Sequence, residues 1–319
     1  MALLAAPPAP PTAPPRGRRK RRFGDLVRYR WLFVLMLPGL VYFALFRFWP
    51  MWGARIAFKN YIPFLGIDGS EWVGLAHFRE FLSNPDFPRL LENTLIVAGL
   101  SLFIAFPLTI VLALLLNELR LQILKRTVQT LVYIPHFLSW TVVVSITALL
   151  FAIGTGPLWT FCGWLFGTDA NMLADPDWFR PLILMQEVWK NTGWGTIIFL
   201  AALAGVDQEQ YEAAIIDGAG RWQRVWHITL PSILPTIVVL LILQTGQILN
   251  TGFEQIYLMS NSLNRTVADV FDTYVYFAGI EQGAYSYATA VGLFKAIVGL
   301  VLIFGTNWLA KRFNQQGIF

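Results

Sequence analysis

Polar side chains interrupt two of the long apolar runs in this 319-residue sequence. Such groups are costly in an apolar environment unless they face a cavity or a partner. The first group comprises Gln186, Glu187, Trp189, Lys190, Asn191, Thr192 and Trp194. The second comprises Gln244, Thr245, Gln247, Asn250, Thr251, Glu254 and Gln255. In the second group, the helical spacing of Gln244, Gln247, Thr251 and Glu254 places them on one helix face.

These residue types suit a ligand that is rich in hydroxyl groups. Amides donate and accept hydrogen bonds, and tryptophan rings can stack against the C–H faces of a sugar. We therefore predict a substrate pathway lined by Gln244, Gln247, Asn250, Thr251, Glu254, Gln186, Asn191 and Trp194. One alternative stays open, in which the same groups form hydrogen bonds between neighbouring helices.

The sequence offers little that could perform catalysis or hold a metal. Its single cysteine, Cys162, excludes internal disulfides and thiolate–metal frameworks. The three histidines are scattered, and no Gly-rich phosphate loop of the GxxxxGKS or GxxxxGKT kind is present. We therefore expect a protein that is not an enzyme, hydrolyses no ATP itself and binds no cofactor or metal of its own.

Charged side chains that lie inside apolar runs need partners. Glu187 and Lys190 are three residues apart, so we expect them to pair on one helix face. Lys295 would either extend to the membrane surface or pair with an acidic residue of a partner chain.

Composition places the chain in a membrane. Hydrophobic residues make up 56% of it and charged residues only 13%, about half the share in a soluble domain. Six apolar runs are each long enough to cross about 30 Å of hydrocarbon as a helix: 31–52, 91–116, 128–151, 181–203, 233–257 and 289–309. We predict an all-α integral membrane protein with six transmembrane helices, bent locally at Pro38, Pro107 and Pro135.

The loops differ in basic charge, which predicts the orientation. One set of loops and tails carries 15 Lys and Arg residues and the other carries 7, so the richer side is predicted to be cytoplasmic. Both termini and the loop 206–231 fall on that side. The basic run Arg16–Arg22 is interpreted as an orientation signal and not as a nucleic-acid-binding arm. The predicted organisation is a disordered basic tail at 1–30, a membrane domain at 31–311 and a C-terminal tail at 312–319.

The cytoplasmic loop contains the stretch YEAAIIDGAGRWQRVWHITLP, residues 211–231. The residues from Glu212 to Ile216 favour a short helix, which Gly218 and Gly220 would end or turn. Taken alone, the pattern fits either a helix on the membrane surface or a helix that docks on another protein.

The same stretch resembles the EAA motif of binding-protein-dependent ABC importer permeases. Glu212-Ala213-Ala214, Gly218 and Ile228-x-Leu230-Pro231 occupy the fixed positions of that motif at its spacing. The resemblance implies a type I ABC importer permease fold, in which this loop is the coupling helix that docks on an ATPase subunit. By position, the coupling residues would be Glu212, Ala213, Ala214, Asp217, Gly218 and Gly220.

The likeness extends over most of the chain. Trp72–Leu75 with His77-Phe78, the pair Asn93-Thr94, and the segment 255–312 resemble maltose-type carbohydrate permeases, in particular the polysaccharide-permease branch and its alginate oligosaccharide importers. This resemblance implies half of a translocation pathway for an oligosaccharide or polysaccharide in a bacterial inner membrane. Implied partners are a second permease in a heterodimer, two ATPase subunits that bind ATP and Mg, and an external solute-binding protein.

A proton-coupled secondary sugar transporter is the alternative function. It would use Glu187, Glu254 and His136 as proton carriers and would need no ATPase partner.

Overall fold

The computed structural model describes residues 29–167 and 169–312, so most of both predicted tails lies outside the described residues. The chain divides into two compact units, Met1–Gly53 and Ala54–Phe319. The described part of the first unit belongs to one apolar helical run, α1 (Arg30–Phe58), which continues past the boundary. Helix α1 passes through Pro38 and contains a π-helical segment at Ala44–Phe48.

The second unit is almost entirely helical. In chain order its main helices are α2 (Ala76–Ser83), α3 (Phe87–Glu118), α4 (Gln122–Phe137), α5 (Trp140–Leu150), α6 (Pro157–Phe166), α7 (Pro176–Ala204), α8 (Gln208–Ile216), α9 (Arg221–Gly246), α10 (Phe253–Met259), α11 (Arg265–Ala268), α12 (Phe271–Tyr276) and α13 (Tyr285–Arg312). Two short antiparallel strands, β1 (Lys59–Asn60) and β2 (Glu71–Trp72), pair Lys59 with Trp72. Single helical turns occur at Pro63–Leu65 and Gly66–Gly69.

The number of membrane-spanning helices is confirmed only in part. Among the described residues, four continuous helices are long and apolar enough to cross a membrane: α1, α3, α9 and α13. The pair α4–α5 would be a fifth span if the two halves are counted together. Helix α7 has 29 residues, but it carries several charged side chains and does not meet the same test of composition. Six spans, and cytoplasmic termini, therefore stay predictions.

The third predicted span, 128–151, is broken. Helices α4 and α5 meet at an angle of 102° across Leu138 and Ser139, just after Pro135. The break exposes carbonyl groups at the end of α4 that no helical N–H reaches. Lys190 Nζ donates to the carbonyl oxygens of His136 at 2.7 Å and Leu138 at 2.5 Å. A cation at a helix C-terminus also suits the helix dipole, so Lys190 stabilises this bend.

The fifth predicted span, 233–257, is also broken, so the expected stripe of four polar side chains on one helix face is wrong. Helix α9 ends at Gly246, and α10 begins only at Phe253. Gly252, which precedes α10, has a φ of 81°, a conformation that favours glycine. The intervening segment 247–252 is not helical, and it separates Gln247 and Thr251 from the faces of both helices.

Helix α7 runs through two parts of the core. Near its start, Phe179 and Leu182 pack in one buried cluster with Ile256 and Met259 of α10. Near its end, Phe199 and Leu203 pack with Ala113 of α3 and Ile233 of α9. A third cluster joins Phe81 of α2 and Phe271 of α12 to Val291 of α13. Burial on both sides fixes α7 between α3, α9 and α10.

Glycines allow two pairs of these helices to approach closely. A Cβ atom on Gly193 of α7 would lie 1.9 Å from the carbonyl oxygen of Val132 in α4. A Cβ atom on Gly299 of α13 would lie 2.7 Å from the carbonyl oxygen of Gly246 in α9. Small residues at helix contacts are typical of membrane proteins, where close van der Waals packing drives association.

We expect Gly299→Ala to destabilise the protein by about 1–3 kcal/mol, because its methyl group must displace the α9 backbone. Gly305→Ala on the same helix is the matched control, since no atom lies within 4 Å of its Cβ position. Alanine in a helix there should be neutral or stabilising by about 0.5–1 kcal/mol. Thermal melting of the full chain in detergent measures both, and equal melting temperatures would contradict the packing of α9 against α13.

Candidate functional site

Two adjoining cavities lie between α3 and α7: cavity A beside the segment 247–252 and cavity B beside α9. Cavity A, of about 280 Å³, has polar lining from Ser101, Trp140, Glu187, Asn191, Asn250, Thr251 and Gln255. Cavity B, also about 280 Å³, has polar lining from Ser101, Thr109, Glu187, Asn191, Thr192 and Gln244. Three residues, Ser101, Glu187 and Asn191, line both cavities, so the two form one polar region within the membrane domain.

Four of the residues predicted for the substrate pathway line these cavities. Asn250 and Thr251 line cavity A, Gln244 lines cavity B, and Asn191 lines both. Gln244 Nε2 donates to Ser101 Oγ at 3.4 Å, a long hydrogen bond that leaves the carbonyl end of the amide available. The non-helical segment after α9 places Asn250 and Thr251 in the wall of cavity A.

The other four predicted pathway residues lie elsewhere. Gln186 is 1% exposed, and its amide group contacts Thr147 Oγ1, Met259 Sδ and Gln255 Nε2 within the core. Gln247 and Glu254 are exposed and line neither cavity. Trp194 stacks on the His136 ring with centroids 4.5 Å apart.

Six polar cavity residues were not predicted to line the pathway: Ser101, Thr109, Trp140, Glu187, Thr192 and Gln255. Gln255 was within the second polar group, but only the break at 247–252 turns it towards Ile183 and Gln186 of α7, whose oxygens accept from Gln255 Nε2 at 2.9 and 3.0 Å. Ser101 is an isolated hydroxyl in an apolar run, which gives a weak signal in sequence. Trp140 reaches the cavity because α5 begins immediately after the 102° bend.

The expected pairing of Glu187 with Lys190 is not made. Glu187 Oε2 instead accepts a hydrogen bond from Asn191 Nδ2 at 3.0 Å. Asn191 Oδ1 lies 3.1 Å from His136 Nδ1, while Lys190 is directed to the carbonyl groups at the bend. One turn of α7 therefore supplies both the cavity wall and the contacts that hold the α4–α5 bend.

Lys295 pairs within the chain, which neither of its two sequence interpretations foresaw. Its Nζ contacts Asp272 Oδ1, and Lys295 is only 9% exposed. No group of three or more metal-ligating side chains occurs among residues 29–167 and 169–312.

The segment with the EAA motif forms a short helix at the surface, as its sequence predicts. Helix α8 begins after Asp207, whose side chain accepts from the N–H of Glu209. It ends in a turn in which Ala219 N donates to Ala214 O at 2.8 Å, and Gly218 has a φ of 76°. That left-handed glycine is the residue that helix termini of this type require.

Helix α8 presents its side chains to the outside and is tied at one point to α9. Glu212 and Ala213 are exposed, and Ile216 is 86% exposed. Tyr211 Oη lies 2.9 Å from Thr229 Oγ1 in the π-helical part of α9. A cavity of about 350 Å³ is lined by Ala214, Asp217, Gly218, Ala219, Gln223, Arg224, His227 and Ile228. Gly220 N donates to Gln223 Oε1 at 2.7 Å and so begins α9.

Comparison with known proteins identifies a matching family and several similar proteins. Residues 105–315 match the family model of the binding-protein-dependent transport system inner membrane component. The chain is 62% identical to protein LplB of Bacillus subtilis over 294 residues, covering 92% of each. It is 52% identical to the polygalacturonan/rhamnogalacturonan transport system permease protein YteP of the same species, covering 95% of this chain and 94% of that one.

Among solved structures, the chain is similar to a subunit of a bacterial alginate ABC transporter, crystallised with a periplasmic protein that holds an alginate pentasaccharide. The two share 37% identity and a TM-score of 0.85, over 94% of this chain and 100% of that one. The matched family, the YteP permease and the alginate transporter are transport components and not enzymes. The chain therefore belongs to the family of binding-protein-dependent transport system inner membrane components, and it is a multi-pass permease subunit of the inner membrane.

Proposed function

We propose that this chain forms half of the translocation pathway of an ATP-driven oligosaccharide importer and receives its driving force through helix α8. The observation that carries the proposal is the exposed helix Gln208–Ile216, closed by the left-handed Gly218, in a chain with the complete EAA motif. The names of the relatives, which refer to pectic polysaccharides and alginate, support a carbohydrate substrate.

The coupling step uses α8 as a rigid docking helix. Ala213 and Ala214 allow a close approach of a groove on the ATPase, and the exposed Ile216 supplies an apolar side chain for burial there. The Glu212 carboxylate is exposed and available to a basic group of that groove. The contact between Tyr211 and Thr229 passes displacement of α8 to α9, whose far end at Gly246 adjoins the cavities.

The pathway follows cavities A and B. Their amides and hydroxyls offer both donors and acceptors, which a hydroxyl-rich sugar requires in exchange for its water. Because one chain supplies only one wall, a second permease is expected to complete the pathway, and an external solute-binding protein is expected to deliver the sugar. The two ATPase subunits would bind ATP and Mg, so this chain needs no cofactor of its own.

Transport then depends on a shift between two packings of the membrane helices and not on chemistry in this chain. The proton-coupled alternative has less support. Glu187 and His136 both bond to Asn191, yet Glu254 is exposed and lines neither cavity, so the three proposed carriers form no continuous relay.

Uptake of radiolabelled oligosaccharide into proteoliposomes tests the coupling role. The assembled transporter should require ATP, and Glu212→Ala should lower uptake at least tenfold, because a docking contact is lost. Gly218→Ala should lower it several-fold, because a methyl group at φ 76° costs about 1–2 kcal/mol and distorts the end of α8. Gly205→Ala, at a φ of −87° just before α8, is the matched control and should have little effect.

Uptake that persists without ATP and is indifferent to Glu212→Ala would exclude this function. ATP-driven uptake that is equally sensitive to Gly205→Ala and Gly218→Ala would keep the importer but reject α8 as its docking element.

Two glutamines three residues apart test the position of the pathway. Gln244→Leu removes hydrogen-bonding groups from cavity B and should raise the KM for uptake, or lower its maximum rate, about tenfold. Gln247→Leu makes the same change at a residue that lines neither cavity and reaches cavity A only as the acceptor of the Asn250 Nδ2 hydrogen bond at 2.6 Å, so it should alter uptake less than Gln244→Leu does. A larger effect of Gln247→Leu than of Gln244→Leu would mean that the substrate passes along the side of the segment that carries Gln247.

A further inference from the structure

A charged pair lies between α12 and α13, in a part of the chain that the coupling and pathway arguments do not use. Lys295 is 9% exposed within α13, and Asp272 is half-buried in the first turn of α12. Their contact joins Lys295 Nζ to Asp272 Oδ1. Charged side chains inside a membrane domain are costly, and they persist where they hold a required structure or take part in function.

The second carboxylate oxygen of Asp272 has a different partner. Asp272 Oδ2 accepts a hydrogen bond at 3.0 Å from the backbone N–H of Thr251. Thr251 belongs to the non-helical segment 247–252, where the helical hydrogen-bond ladder is interrupted. A backbone N–H in this setting needs an acceptor from elsewhere in the protein, and Asp272 supplies it.

The same segment forms part of the wall of cavity A. Asn250, Thr251 and Gly252 all line it. The chain of contacts therefore runs from Lys295 to Asp272, from Asp272 to the Thr251 backbone, and from there to the cavity. Neither Lys295 nor Asp272 lines cavity A or B, and the observed link from the pair to the wall of cavity A is the hydrogen bond from the Thr251 N–H to Asp272.

We propose that Asp272 and Lys295 are positioning residues of the translocation pathway: the pair holds segment 247–252 in place as the wall of cavity A. The inference rests on the proposed function for its meaning in transport. A carboxylate suits this task because its two oxygens serve two donors at once, and Lys295 offsets its charge. Lys295 in turn orients the carboxylate so that Oδ2 meets the Thr251 N–H.

Two double variants distinguish the effect of the hydrogen-bond acceptor at residue 272 from the effect of the charges of the pair. Asp272→Asn with Lys295→Met removes both charges and keeps an amide oxygen that can accept from Thr251. Asp272→Leu with Lys295→Met removes both charges and the acceptor. Neither variant leaves an unpaired buried charge, which by itself would destabilise the protein. Melting temperature in detergent reports the stability of each.

The first measurement is the accessibility of the cavity wall. Asn250→Cys, in a chain whose native Cys162 is changed to serine, is labelled with a water-soluble maleimide. With Asp272→Asn and Lys295→Met (the Asn/Met variant), we expect the labelling rate to stay within threefold of the rate with the native pair. With Asp272→Leu and Lys295→Met (the Leu/Met variant), we expect it to change at least tenfold, because segment 247–252 loses its acceptor. Asp68→Leu is the control, since Asp68 pairs with Arg55, its side chain is 91% exposed, and neither residue lines cavity A. It should leave the labelling rate unchanged.

The second measurement is ATP-driven uptake with the assembled transporter. The Leu/Met variant should lose at least tenfold in maximum rate or in KM, and the Asn/Met variant should recover most of that loss. Equal labelling and equal uptake in the two double variants would overturn the proposal, as would a loss of uptake that only follows melting temperature.

The two proposals fail in different ways. If labelling differs between the variants while uptake does not, the pair positions the segment but the segment is not part of the pathway, and the proposed role in transport is wrong. If labelling is equal in both, the positioning role is wrong while an ATP-dependent importer still stands.

Discussion

Every backbone N–H and C=O group inside a membrane needs a partner within the protein, and this requirement organises the whole domain. An unbroken helix meets it without side chains. This chain breaks two of its apolar runs, at 138–139 and at 247–252, and each break needs polar side chains from other helices. Lys190 donates hydrogen bonds to the carbonyl groups at the first break, and Asp272 accepts a hydrogen bond from a backbone N–H at the second.

The residues that serve the breaks also explain where the cavities lie. Helix α7 crosses between the two breaks, with apolar clusters at both of its ends and polar side chains in the middle. Its turn from Glu187 to Asn191 contacts the first break on one side and lines both cavities on the other. Membrane transport proteins place irregular backbone beside a polar cavity, because water and polar side chains in the cavity supply the hydrogen-bond partners that lipid lacks.

Much of the function was accessible from the sequence. The residues from Glu212 to Pro231 predict a short helix and a glycine turn, and both are present, with Gly218 at a φ of 76°. Local rules suffice there because helix propensity and a left-handed glycine act within a few residues. The membrane class follows in the same way from composition, and family membership confirms it.

The breaks and the partners of buried groups were not accessible, for a physical reason. Apolar runs of over 20 residues have the same composition whether or not the helix continues. In the segment that follows α9, the Thr251 N–H donates to Asp272, 21 residues further along the chain. Gln186 has the same polarity as the cavity amides, and only its contacts with Thr147 and Gln255 place it in the core. Tertiary contacts decide where a helix is interrupted and whether a polar side chain lies in the core or in a cavity, and the periodicity of one apolar run does not predict those contacts.

The most direct test of this account is a scan of single cysteines at every position from 244 to 259, labelled in membranes with a water-soluble thiol reagent. A broken helix predicts that positions 250 and 252 are labelled as well as 247 and 254, and that no period of 3.6 residues runs through the whole stretch. Labelling that repeats every 3.6 residues from 244 to 259, with 244, 247, 251 and 254 labelled but 250 and 252 protected, would show a continuous helix and would contradict it.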